Sequence, residues 1–413
     1  MLPVSSASGN NTPFMDALFT STTSVCVTGL VVQDTGTYWS SFGHSVILIL
    51  IQVGGLGVIT VAAFLAMATG RKIGLFQKSV IQEAVGTPQL GGILKMIRII
   101  LKYTLLLELI GAIVMMPVFC KEFGILKGIW MSFFHAVSAF CNAGIDLMGV
   151  KEPYSSLTGY VEEPVINLAV MGLIIVGGIG FVTWSDIRTH GVHLKKYRMQ
   201  SKVILSVTAF LILVPAVYFF FFEFGGMPTG KRIFTSLFQS VTPRTAGFNT
   251  VELTAMSGPG RLLMIFLMLI GGAPGSTAGG MKVTTFAVLL ACVFAVFRRR
   301  ENVHLFGRRI IPATIVTAVT LLLMYTGLAV SGAVVISMAE GLPLLSCLYE
   351  TASAIGTVGL TLGITPQLGM LSKSILIVFM FLGRIGGLTL IYAAQSGYKV
   401  QMGKLPEEKI TVG

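Results

Sequence analysis

The sequence predicts an all-α polytopic membrane protein, and three observations carry the prediction. Of the 413 residues, 54% are hydrophobic and only 11% are charged, whereas a soluble domain carries about 25% charged residues. Mean hydropathy is +0.84, and the 48 glycines and 15 prolines fall inside apolar stretches rather than polar linkers, which excludes a disordered or fibrous chain. The apolar runs reach about 20 residues, enough for a helix to cross a bilayer core and too long for barrel strands.

In chain order, spans are predicted near 45–69, 99–119, 165–184, 203–222, 311–337 and 374–394. A further span over 261–297 is interrupted by Gly271-Gly272-Ala273-Pro274-Gly275-Ser276-Thr277-Ala278-Gly279-Gly280. Basic residues crowd alternate connections: six from Arg71 to Lys102, five from Arg188 to Lys202, five from Arg298 to Arg309 and three in the tail from Lys399. That asymmetry places these connections on the cytoplasmic side. It also accounts for the net charge of +12 without a nucleic-acid partner. The topology sets Met1 outside, with no signal peptide and with a first outward-going helix expected before the sequence begins. The five cysteines (Cys26, Cys120, Cys141, Cys292, Cys347) form no CxxC pair and are odd in number, so neither a disulfide framework nor a zinc module is indicated.

Internal repeats explain the polar segments between spans. The stretches 14–29, 129–144, 232–247 and 344–359 align without gaps on a final glycine: Gly29, Gly144, Gly247 and Gly359. Ten residues before it stands a large apolar residue (Phe19, Phe134, Leu237, Tyr349), and six before it stand Thr23, Ser138, Val241 and Ser353. Each stretch reads as a helix of about ten residues, too short to span. A span with paired glycines follows each time: Gly54-Gly55, Gly177-Gly178, Gly271-Gly272 and Gly386-Gly387. The unit is therefore outer helix, short re-entrant helix, extended loop, inner helix. Re-entrant backbone at membrane depth is tolerated where protein buries it or where it lines a water-filled path.

Such a unit suits cation permeation. Moving a bare monovalent cation into a low-dielectric medium costs on the order of 20 kcal/mol, so a permeation site must replace the hydration shell. Rings of backbone carbonyls can do so, and the C-terminal dipole ends of four short helices would assist if aimed at the path. The candidate filter is Val27-Thr28-Gly29, Asn142-Ala143-Gly144, Thr245-Ala246-Gly247 and Thr357-Val358-Gly359. It holds no ring of acids, which favours a weakly hydrated monovalent ion over calcium or magnesium.

Three motifs in order, Ser240-Val-Thr-Pro-Arg-Thr-Ala-Gly-Phe-Asn-Thr250, Gly275-Ser-Thr-Ala-Gly-Gly-Met-Lys282 and Gly383-Arg-Ile-Gly-Gly387, resemble the Trk/Ktr/HKT superfamily over essentially the whole chain. Without the extra N-terminal helix pair of larger Trk subunits, the chain is most similar to the Ktr-type membrane subunits. The resemblance implies four pseudo-symmetric M1-P-M2 potassium-channel-like repeats around one pore. These divide as 1–70 (first M1 absent), 97–190, 200–298 with a broken M2, and 310–397, with a cytoplasmic tail over 398–413. It implies potassium as substrate, selectivity glycines at Gly29, Gly144, Gly247 and Gly359, no cofactor in this chain and sodium as an activator. It further implies a homodimer in the bacterial plasma membrane, filter loops outside, docked on a cytosolic ring of nucleotide-binding regulatory subunits. Arg298-Arg299-Arg300 offers that ring a surface, with ordinary orientation signals the competing reading.

A gate is expected below the filter. The loop containing Gly271, Gly272, Gly275, Ser276, Thr277, Gly279 and Gly280 breaks the third inner helix, because each glycine costs about 1 kcal/mol of helix stability against alanine. A passive kink is the competing reading. Arg384 in the fourth inner helix must face water or partners, since an arginine at mid-membrane costs about 2.5 to 3.5 kcal/mol on insertion scales. The resemblance makes it an electrostatic barrier under the filter. Lys282 reads equally as pore-facing or as a contact to loop carbonyls.

Other classes fit less well. The stretch Gly275 to Lys282 resembles a phosphate-binding loop, but Met281 spoils its spacing. His190 and His193 form an HxxH in a basic loop without the further ligands of a metal site. His135 and Glu350 lie within re-entrant helices, where packing roles are expected. Arg244 close to the third loop should be held by an acid or by carbonyls, with Glu108 and Glu223 as candidate partners for such charges. The spans carry no hydrolase motif, so the chain does not read as an enzyme. A secondary transporter of another monovalent cation with a midplane site is permitted by the broken helix.

Overall fold

The computed structural model describes residues 1–57, 60–64, 93–387 and 408. The remainder of the first repeat's inner span, the C-terminal end of the fourth repeat and nearly all of the predicted tail lie outside the described residues. Within them the chain is an array of helices with one two-stranded hairpin pairing His304 with Arg309 and Leu305 with Arg308.

Three outer helices follow from long apolar runs: Ile93–Phe123, Met199–Tyr218 with a π-helical continuation Phe219–Glu223, and Pro312–Glu340. All three are long and apolar enough to cross a membrane. Pro312 sits in the first turn, where a missing N–H leaves no intrahelical bond unmade.

One short helix comes next in each unit: Phe14–Val25, Ile125–Phe140, Thr229–Val241 and Leu344–Gly356. At 12, 16, 13 and 13 residues they exceed the expected ten; the second and third begin before the aligned stretches, at Ile125 and Thr229, and the first and fourth begin with them at Phe14 and Leu344. Three start directly after a proline (Pro13, Pro228, Pro343), and the second starts after Gly124 at φ 82°.

The inner helices are Ser41–Leu56, Pro164–Gly178, Gly258–Leu269 and Met370–Ile385. Serine side chains cap two of them, with the Gly43 N–H donating to Ser40 at 3.2 Å and the Gly260 N–H to Ser257 at 3.1 Å. Three of them are interrupted inside their predicted spans. The first, second and fourth stop at glycines in the left-handed region, Gly57 (φ 85°), Gly180 (φ 86°) and Gly386 (φ 87°). After Gly180 the chain continues as Phe181–His190, bent by 97°, so the predicted continuous span over 165–184 is corrected to a broken one. The third is interrupted as expected and resumes at Val283–Phe297.

Packing around the molecule is cyclic. Every short helix contacts the inner helix of the preceding unit, and the first short helix contacts the fourth inner helix, which closes the circuit. An ion pair between Lys373 and Asp16 at 3.1 Å joins the same two units.

Candidate functional site

Each short helix ends at a loop with the same backbone. Val27 (φ 55°), Asn142 (φ 58°), Thr245 (φ 68°) and Thr357 (φ 51°) adopt the left-handed conformation, uncommon for residues with a Cβ and especially so for β-branched ones. Two residues later Gly29 (φ 95°), Gly144 (φ 63°), Gly247 (φ 87°) and Gly359 (φ 94°) do the same. Three bulky or polar residues thus share a strained geometry with an asparagine, and such strain persists where surrounding structure enforces it.

The four loops meet one another in order. A Cβ at Gly29 would collide with the Ala143 carbonyl oxygen, one at Gly144 with that of Ala246, one at Gly247 with that of Val358, and one at Gly359 with that of Thr28. The glycine of each loop therefore presses on the carbonyl of the next, and the last presses on the first. All twelve candidate filter residues are buried. The carboxyl ends of the short helices lie immediately before this ring, bringing partial negative charge to it.

The loops are held from behind by a repeated device. The N–H groups of Gly29 and Gly359 donate to the hydroxyls six residues earlier, Thr23 and Ser353, both at 3.0 Å. Ser138 at the same place donates to the Ile145 carbonyl at 2.6 Å. Val241 has no hydroxyl, and in that loop Thr242 donates instead to Phe248 at 2.5 Å. Nine residues before the glycine, His135 and Glu350 also correspond. The Leu147 N–H donates to His135 Nε2 at 3.3 Å, and the Leu362 N–H donates to Glu350 at 3.1 Å. Glu350 additionally accepts the Thr361 and Thr365 hydroxyls. Both residues brace loops rather than line the ring.

Arg244 reaches neither of its candidate partners. It donates to the Thr208 hydroxyl at 3.2 Å and the Thr208 carbonyl at 3.5 Å. Glu223 accepts the N–H and hydroxyl of Ser257 at 2.6 and 2.7 Å, and Glu108 lies 3.8 Å from the Cys141 sulfur. The Asn142 amide and the Thr245 hydroxyl, 3.2 Å apart, link the second and third loops directly.

Below the ring lies the break in the third inner helix. Gly271 N–H donates to Met281 at 2.7 Å and Val283 N–H to Gly272 at 3.0 Å, so the segment closes on itself. Thr277 donates through its hydroxyl to the Phe140 carbonyl at 3.0 Å and through its N–H to Gly177 at 3.3 Å. Phe181 N–H donates to the Gly275 carbonyl at 2.7 Å, and Gly280 N–H to Gly383 at 3.2 Å. A Cβ at Gly279 would strike the Thr357 side chain, which puts the segment against the fourth loop. Ser276 donates to Ala273 at 2.6 Å, and Lys282 Nζ donates to the carbonyls of Ala278 at 2.8 Å and Gly279 at 3.4 Å. Lys282 thus makes the contact to loop carbonyls that one of its two readings expects.

Arg384 spans the space under the ring. Its guanidinium donates to the Thr277 carbonyl and to the carbonyls of Gly54 and Gly55, the last at 3.1 Å. It forms no ion pair among the described residues.

One register is corrected. A Cβ at Gly54 would strike the Val25 carbonyl, one at Gly177 that of Phe140, and one at Gly383 that of Ile355. The fourth-unit partner of Gly54 and Gly177 is thus Gly383, not Gly386. Gly386 corresponds to Gly57 and Gly180, where the helix ends. Spacing of glycines by three would have revealed this, had adjacency not been the feature followed. The same register places Arg384 where the first and second units have Gly55 and Gly178.

A sequence profile of the TrkH family, described as cation transport protein, matches residues 2–400. The chain is 40% identical over 428 aligned residues to the potassium/sodium uptake protein NtpJ of Enterococcus hirae, covering 100% of this chain and 92% of that one. It is 37% identical over 399 residues to the Ktr system potassium uptake protein B of Bacillus subtilis, covering 95% and 88%. Its fold is similar to the crystal structure of the potassium transporter TrkH from Vibrio parahaemolyticus, with a TM-score of 0.72 and 21% identity over 93% of this chain and 78% of that one. With the family profile spanning nearly the whole chain, this protein belongs to the TrkH family of membrane cation transport proteins, in its Ktr-like branch.

Proposed function

We propose that the chain is a potassium uptake subunit whose four loops form a carbonyl selectivity filter. The observation that carries this reading is the closed circuit of glycines and carbonyls. Four backbone oxygens placed around one centre can replace water around a monovalent ion, and the glycine packed against each of them carries no side chain. The names of the relatives from Enterococcus hirae and Bacillus subtilis, both uptake proteins, support the same direction.

The segment Gly271 to Gly280 acts as the gate and Arg384 as its latch and charge barrier. Support comes from the hydrogen bonds that tie Thr277, Gly54 and Gly55 to one guanidinium below the filter. In this reading the filter opens to the outside of a bacterial plasma membrane, sodium stimulates uptake, and the subunit works as a homodimer. A cytosolic ring of nucleotide-binding regulatory subunits docks on its inner face, where Arg298, Arg299 and Arg300 are exposed.

Rubidium-86 uptake into potassium-uptake-deficient cells expressing the chain with a regulatory partner tests the proposal. Saturable uptake that resists excess sodium, loses discrimination in Gly247→Ser and rises in Arg384→Ala is expected. No uptake from a correctly inserted protein would return the argument to a midplane-site transporter of another cation.

A further inference from the structure

Arg244 sets a full charge behind the third loop, three residues before Gly247. It is 7% exposed. It lines a cavity of about 10 Å³ whose other walls include Ile174, Ile175, Ile212 and Val241. Among the described residues its side-chain hydrogen bonds go to Thr208 alone, and its Nε has no partner. Among the described residues no carboxylate pairs with it. An arginine stays protonated under any ordinary condition, so this is a fixed positive charge in apolar surroundings. Nothing on its own element or on the outer helix that holds it neutralises it.

The position matters because the Arg244 carbonyl lies 3.4 Å from the Asn142 amide, placing its backbone at the junction of the second and third loops. The guanidinium points outward from there to Thr208, at a distance from the ring set by one side chain. A unit charge on the order of 10 Å from a cation in surroundings of effective dielectric near 20 changes its binding constant roughly tenfold. A carbonyl ring that binds its ion too tightly conducts slowly, since the ion must also leave.

We propose that Arg244 is an affinity-setting residue of the cation pathway: its uncompensated charge weakens retention of the ion in the ring and speeds release. The inference rests on the reading of the four loops as a filter. It predicts that charge, not the tether to Thr208, is what counts.

Rubidium-86 uptake by the full chain, titrated with rubidium, separates these possibilities. Arg244→Gln, which can still donate to Thr208, should lower KM roughly tenfold and lower the maximal rate. Arg244→Lys, which keeps the charge, should hold KM near the wild-type value, and so should Thr208→Val. Wild-type transport with an unchanged KM in Arg244→Gln overturns the inference, as does a Thr208→Val variant that reproduces the glutamine phenotype. Should Arg244→Gln fail to insert, binding of thallium to the purified Arg244→Lys and Thr208→Val proteins decides the matter, because a fall in dissociation constant in Thr208→Val alone would mean the tether sets affinity. Absence of rubidium transport by the wild type would instead remove the filter reading itself.

Discussion

Arg384 donates a hydrogen bond to the carbonyl of Gly55, the residue that holds its own position in the first unit. The first and second inner helices place glycine there, and the fourth places a charged side chain long enough to reach across to the first. The arginine also reaches Thr277 on the broken third helix, so one side chain ties three units together under the ring.

Removing that tie should loosen the gate. Arg384→Ala leaves the carbonyls of Gly54, Gly55 and Thr277 without a charged donor, each such bond contributing about 1.5 to 3 kcal/mol. Rubidium uptake at saturating substrate should rise several-fold, and the melting temperature of the purified protein should fall. A variant with lower uptake and unchanged melting would argue that Arg384 assists conduction instead.

The ring glycines should be intolerant of any Cβ. In Gly359→Ser the new atom meets the Thr28 carbonyl oxygen, and in Gly247→Ser it meets that of Val358. Because the obstacle is backbone of a neighbouring loop, the ring must distort. Sodium should then compete with rubidium at least tenfold more effectively than in wild type, measured as the sodium concentration that halves uptake.

The broken segment should respond to loss of single anchors. Thr277→Val keeps the side-chain shape and deletes the hydroxyl bond to Phe140, a contribution of about 1 kcal/mol. Uptake should increase by roughly fivefold if that bond favours the closed form. Gly279→Ala drives a methyl group into Thr357 and should impair both gating and selectivity, seen in the same uptake assay with and without sodium.

Stability should depend on pH through Asp146 in the outer connection between the second loop and its inner helix. Burial pushes this carboxyl up to about 6 from the usual 3.8, the nearby Asp34 carboxylate adds to the effect, and the Met148 N–H opposes it. A carboxyl raised on folding binds its proton more tightly in the native state, so its contribution is present below pH 3.8 and is lost as pH rises through about 6. Wild-type melting temperature should therefore fall between pH 4 and pH 7 relative to Asp146→Asn, in which this component disappears. Parallel curves for the two proteins would exclude Asp146 as the source.

Much of this arrangement is legible in the sequence because membrane burial leaves coarse marks. The long outer helices, the four short helices and the four loop glycines follow from apolar length and from a recurring pattern around Gly29, Gly144, Gly247 and Gly359. The bend at Gly180 was hidden, since Ile179, Phe181 and Val182 continue the apolar run and hydropathy does not register backbone direction. The place of Arg384 was visible as an oddity, but its partners are carbonyls, which carry no sequence signal. Arg244 is held by the hydroxyl and the carbonyl of Thr208; a carbonyl is among the expected partners, but nothing in the sequence marks which residue supplies it. Exchange of Val241 for a hydroxyl residue was plain in the alignment, yet its compensation by Thr242 depends on local loop geometry.

The contact of Gly359 with Thr28 has a consequence for biosynthesis. A chain emerging from the ribosome inserts its loops one after another, and the circuit stays open until the final unit folds back on the first. Such closure between distant segments is slow relative to local helix formation. On the filter reading, the ring is complete only once the fourth loop meets the first, and a truncated product that lacks the fourth loop carries no complete ring.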